Sequence, residues 1–196
     1  MKIEATPIAG LHEVYLDRID DERGNLHRIF DAAEWHGAAG QTWHWDQVVT
    51  SFTRDKNTLR GMHYQFPPYA EGKLVIPLAG RMFWASVDVR HASPSFGRWH
   101  GVVLAPEAGS ALLATPGFAH GCLSLSNAVS LLILSTQTHR AAQGAGFCWD
   151  DPTVAIRWPD LGAPPLLSPA HRGLVSFRTF AGTLGEETWE KEVAHA

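Results

Sequence analysis

The sequence predicts an all-β sandwich or barrel, and three observations carry that expectation. From Trp45 onward, short apolar runs recur at a spacing of roughly 8–12 residues; they are Lys73–Leu78, Val102–Leu104, Ala111–Thr115, Gly121–Leu125 and Leu131–Thr136. Gly, Pro or Asn stands between them, so each run is cut off before it reaches helical length. Phe83, Ala85, Val87 and Val89 alternate with Trp84, Ser86 and Asp88, the period-two pattern of a half-buried strand.

The remaining elements follow in chain order. Strand-like fragments run over Ile3–Ile8 and His12–Ile19, followed by a turn at Asp21-Glu22-Arg23-Gly24. Asp31 is a candidate cap for a short helix over Asp31–His36. Pro164, Pro165 and Pro169 predict an extended, non-helical return, and residues 186–194 form the one long helical stretch. The expectation is a single domain over 1–196, with a core of about 8–172 and short peripheral helices.

Composition excludes several function classes. The chain has 196 residues, 45% hydrophobic and 18% charged, with a net charge of −4. Such a balance offers no electrostatic attraction for nucleic acid or an acidic membrane. No run of eighteen apolar residues is present, so membrane spanning is not expected. Cys122 and Cys148 form no spacing motif and read as free thiols in a reducing compartment, which places the protein in the cytoplasm.

The chemistry concentrates in Arg60-Gly61-Met62-His63, in Lys73, and in Pro116-Gly117-Phe118-Ala119-His120. In metal-binding cupin barrels such a frame carries His-x-His, a Glu ahead of a glycine, and a late His. Here the first pair reads His63-Tyr64-Gln65, and Lys73 stands in the glutamate slot ahead of Gly80. An ammonium cannot ligate a divalent cation and repels one, so no metal is expected. A metal-dependent dioxygenase is disfavoured on the same ground. An imidazole beside a cation suits removal of a proton next to a carbonyl and stabilisation of the resulting oxyanion. Taken singly, each residue has a plainer reading: His63 as a packed core histidine, Lys73 as a barrel-rim lysine paired with Glu71, and Asp150-Asp151 as a turn before Pro152.

Seven segments then carry a resemblance. They are Arg23-Gly24, Thr58 to Gln65, Gly72-Lys73-Leu74-Val75, Val87-Asp88-Val89-Arg90, Ser93 to Gly97, Pro116 to Gly121, and Trp149-Asp150-Asp151-Pro152. Their order and spacing resemble the dTDP-4-dehydrorhamnose 3,5-epimerase family over roughly residues 8–172. The resemblance implies a jelly-roll (cupin-like) barrel, a homodimer, and a nucleotide-linked 4-keto-6-deoxy sugar as substrate. It implies no metal and no redox cofactor. By position, His63 matches the general base and Lys73 the enolate-stabilising lysine. Arg60 and His120 match residues around the sugar, Arg23 one near the diphosphate, and Gln47 a further substrate contact.

The chain departs from that pattern at defined places. The acid tyrosine falls on Ile133, the base-orienting carboxylate on His171, and an expected Asp on Trp84. An aromatic pair falls on Thr138 and His139, and an Asn after Gln47 is replaced at Val49 or Thr50. Isoleucine donates no proton, and each acid–base group contributes about 10²–10⁴-fold. A single-centre epimerase, or one acting on a different sugar, is therefore favoured over full double epimerisation. The alternative is a non-catalytic sugar-nucleotide binder or structural homologue. His44 and His171 are candidate substitutes for the missing groups, each with a plain surface or packing role as the other reading.

Overall fold

The computed structural model describes residues 1–31 and 43–184. Thirteen strands occur among them: β1 (Lys2–Ala5), β2 (Leu11–Tyr15), β3 (Arg18–Asp21), β4 (Gly24–His27), β5 (Gln47–Thr53), β6 (Leu59–Gln65), β7 (Lys73–Ala79), β8 (Met82–Asp88), β9 (Trp99–Leu104), β10 (Ser110–Ala114), β11 (Phe118–Ser124), β12 (Val129–Ser135) and β13 (Gly144–Gly146). Two short α-helices follow, α1 (Pro169–Arg172) and α2 (Phe177–Ala181). The predicted helix over 31–36 falls almost wholly, and that over 186–194 wholly, outside the described residues.

The strands form a six-stranded sheet ordered β1-β2-β10-β7-β12-β5 and a five-stranded sheet ordered β13-β6-β11-β8-β9. Strands β3 and β4 make a separate ribbon. All strand pairs are antiparallel. The two sheets face one another across a core of Leu11, Val75, Leu112 and Leu131 from one, and Met82, Trp84, Leu104 and Cys122 from the other. The all-β, cupin-like expectation holds, because alternation of side chains gives each strand one apolar face for this shared interior.

Two details correct the sequence reading. Every residue of β8 is buried, not half of them. Trp84 enters the core between the sheets, while Phe83, Ala85 and Val87 pack outward under Phe147, Trp158, Phe177 and Phe180. The chain after β12 supplies this outer cover, which strand periodicity alone cannot reveal. Pro169, expected in an extended return, instead opens α1: Ser168 caps that helix, and a proline at the first helical position loses no hydrogen bond.

The apolar face of edge strand β5 is left open. Val48 is 58% and Phe52 60% exposed, and the ribbon shows Ile19 at 58% and Leu26 at 60%. Among the described residues no helix is long and apolar enough to cross a membrane.

Candidate active site

A regular strand would send Arg60 and His63 to opposite faces, because their spacing is odd. A bulge changes this. His63 sits opposite His120 and Arg60 opposite Cys122, so Gly61 and Met62 together face Gly121. The extra residue resets the alternation and turns both Arg60 and His63 toward the interior. Only glycine fits at Gly61: its φ is 117°, and a Cβ there would lie 2.6 Å from the Gly121 Cα and 2.6 Å from the His120 carbonyl.

Arg60 and His63 line a cavity of about 580 Å³ between the sheets. His120, Trp84 and Cys122 line it from the same five-stranded sheet. Lys73, Leu131, Ile133 and Ser51 line it from the six-stranded sheet. The base candidate and the cation candidate thus approach from opposite walls. Glu71, His139 and His171 complete the polar lining. The 138–140 segment is fixed by the buried Gln65, whose Nε2 donates to the carbonyls of Tyr69 and Thr138 and whose Oε1 accepts from the Arg140 amide.

His63 has an imidazole partner where the resemblance expects a carboxylate. Its Nε2 lies 2.6 Å from Nε2 of His171, with the ring planes at 61°. Two ring nitrogens at that distance hold one proton between them, one as donor and one as acceptor. The His63 ring is open to the cavity, yet protein packs densely around it. Burial, followed by His171, Lys73, Arg60 and His139, pushes its pKa down to about 4. His63 is therefore a neutral imidazole at pH 7. Burial and then Arg60 also lower the pKa of His171.

Lys73 Nζ is 2.5 Å from a Glu71 carboxylate oxygen, and both side chains are largely buried. The plain pairing read from the sequence is present, but inside the cavity rather than at a wet rim. Arg60 is held by neutral oxygens, Thr53 Oγ1 and the Phe52 carbonyl, each at 3.3 Å. His120 is 4% exposed; its Nδ1 meets the indole N–H of Trp84 at 3.3 Å and the Ser86 hydroxyl at 3.0 Å. Among the described residues no group of three or more His, Cys, Asp and Glu is placed to hold a metal ion.

Two of the expected substrate contacts lie elsewhere. Arg23 sits in the turn of the β3–β4 ribbon, 84% exposed and paired with Asp21, and does not line the cavity. Gln47 opens β5 and accepts the His139 amide through Oε1 at 3.1 Å, so it secures a lining residue without itself lining the cavity. His44 pairs with Asp46 on the surface. Asp151 accepts from the Phe177 amide at 2.8 Å and ties α2 down, beyond the turn read from the sequence.

An all-β barrel with a neutral imidazole and an ammonium on opposite walls of one cavity defines an acid–base isomerase of cupin-like fold. The chain belongs to the dTDP-4-dehydrorhamnose 3,5-epimerase family, whose pattern it matches over residues 5–178. A dTDP-4-dehydrorhamnose 3,5-epimerase of Shigella flexneri is 38% identical over 148 residues, covering 76% of this chain and 80% of its own. The solved RmlC epimerase of Mycobacterium tuberculosis superposes with a TM-score of 0.91 at 29% identity, covering 99% of this chain and 97% of its own. ChmJ, a 3'-monoepimerase of Streptomyces bikiniensis solved with dTDP-quinovose, gives 0.88 at 28% identity, with 96% of each chain covered.

Proposed function

We propose that this protein epimerises a nucleotide-diphospho-4-keto-6-deoxy sugar at one carbon beside the ketone. The observation that carries the reading is the placement of neutral His63 and cationic Lys73 on opposite walls of one cavity. The likeness to ChmJ and to a Legionella pneumophila RmlC solved with dTDP-4-keto-L-rhamnose supports the substrate class.

In the proposed mechanism, His63 takes the proton from the carbon beside the ketone. The C–H electrons form a carbon–carbon double bond, and the carbonyl electrons move onto oxygen. Lys73 faces that oxygen and stabilises the enolate. Water then protonates the carbon from the other face, and the His63 imidazolium returns its proton to solvent. Ile133 fills the place of the acid tyrosine, so water takes over the donor's part at the carbon that is inverted. Arg60 faces the sugar or its anionic group, while Gln47 acts through His139. Solvent deuterium appearing beside the ketone tests the whole reading.

The pH dependence follows from the His63 pair. A base works unprotonated, so exchange is expected to stay level as pH falls from neutrality and to drop only near the His63 value of about 4. His171→Asp places a carboxylate against His63, favours its imidazolium, and is expected to move the acid limb upward toward neutrality. Superimposable acid limbs for the two proteins would contradict the assignment of His63 as base.

We further infer a cytoplasmic homodimer built through the exposed apolar faces of β5 and the β3–β4 ribbon. A second copy covering them removes an open sheet edge. It also gives Arg23 a route to the partner's substrate, near the diphosphate. Light scattering at micromolar concentration is expected to give a dimer, and Phe52→Lys to weaken it; a monomeric wild type would refute the interface.

A further inference from the structure

We propose that Trp84 locks His120 in the neutral tautomer protonated at Nε2, and that this N–H is a second donor, beside Lys73, to the oxygen that gains charge during the reaction. The inference rests on the epimerase reading above.

An indole N–H is a donor and never an acceptor. Trp84 Nε1 lies 3.3 Å from His120 Nδ1, so Nδ1 must present a lone pair. The Ser86 hydroxyl at 3.0 Å then donates to the same nitrogen. The register explains the convergence: Ser86 lies directly across from His120 on β8, and Trp84 is its diagonal neighbour opposite Cys122. With Nδ1 an acceptor, the ring proton resides on Nε2. A second proton on Nδ1 would turn two N–H groups against each other. Burial, then Lys73 and His63, also holds the His120 pKa well below its ordinary value.

Nε2 is buried and has no hydrogen-bond partner among the described residues. Buried donors are rarely left so, and one in a residue lining a cavity is ready for a ligand acceptor. Lys73 lines the same cavity and is near enough to act on the His120 charge. A carbonyl oxygen between the two would receive one charged and one neutral donor. The neutral donor needs no counter-charge and no reorganisation as the oxygen becomes an enolate.

The residue at position 84 decides this polarity. A carboxylate there, as the resemblance expects, would accept from Nδ1–H and leave Nε2 as an acceptor or favour the imidazolium. Tryptophan reverses the arrangement. His120 becomes a fixed donor and cannot serve as a proton-transfer group. Trp84 is on this account a positioning residue and His120 a catalytic one.

Long-range proton–nitrogen correlation spectra of nitrogen-15 histidine-labelled wild type read the tautomer directly, without a variant. The expected result is a pyridine-like Nδ1 and a pyrrole-like Nε2 for His120 at neutral pH. A pyrrole-like Nδ1 would overturn the proposal. In Trp84→Phe the tautomer preference is expected to weaken and deuterium wash-in to slow; an unchanged tautomer would remove the role of Trp84. His120→Ala is expected to slow wash-in about 10²-fold, and His120→Gln, which keeps a neutral donor, to recover part of it. Equal loss in both would refute the donor role. Background exchange in the wild type together with the expected tautomer would overturn the epimerase reading and the donor role with it, while leaving the tautomer lock standing.

Discussion

His63→Ala is expected to reduce deuterium wash-in beside the ketone of a dTDP-linked 4-keto-6-deoxy sugar to the buffer background. A positioned general base contributes about 10²–10⁴-fold, and the other imidazoles of the cavity are poorly suited to replace it. His120 presents N–H rather than a lone pair on the account above. His171 lines the cavity with its Nε2 engaged by His63 Nε2, 2.6 Å away. Nuclear magnetic resonance of the sugar in deuterated buffer measures the rate. Residual exchange in His63→Ala near the wild-type rate would assign the base to another residue.

Lys73→Ala is expected to slow the same exchange by about 10²–10³-fold, roughly 3–4 kcal/mol in the barrier. The substitution has a second consequence, because Glu71 then remains in the cavity without its cation. A carboxylate there repels the developing enolate. Glu71→Gln separates the two effects: it keeps the ammonium and removes only its partner. Wash-in in Glu71→Gln is expected to stay far above that of Lys73→Ala. If the two variants lost exchange equally, the integrity of the pair, rather than the ammonium facing the oxygen, would be what matters.

The strand framework was legible in the sequence because a sheet writes its burial pattern at period two. The turns around Gly80, Gly109 and Gly117 divided the runs where the strands divide. What escaped that reading came from elsewhere in the chain. The double burial of β8 depends on aromatic residues such as Phe177 and Phe180, nearly a hundred positions away. Pro169 looked like a helix breaker and acts as a helix opener, because only its place relative to Ser168 decides which.

The candidate site was legible in part for the same reason. His63, Lys73, His120 and Arg60 stand in an ordered frame, and the cavity brings these four together. Nothing in the spacing of Arg60 and His63 shows that they share a face; the Gly61 bulge does that, and it exists only against β11. His171 stood in the sequence as a candidate substitute for the base-orienting carboxylate, but its contact with His63, across 108 positions, shows only in the fold. Trp84 read as a lost carboxylate. Only the antiparallel register of β8 and β11 shows that it addresses His120 as a donor. Arg23 fits the frame by position but lies on the exposed ribbon, which a sequence cannot distinguish from the cavity of its own chain.

The most direct test is to locate deuterium in the sugar after incubating wild-type protein with a dTDP-linked 4-keto-6-deoxy sugar in deuterated buffer. The account predicts deuterium, well above the enzyme-free rate, at one of the two carbons flanking the ketone, with inversion at that carbon. With Ile133 in place of an acid, reprotonation falls to water. Incorporation at both carbons would contradict the single-centre mechanism, and incorporation at neither would contradict catalysis by this cavity altogether.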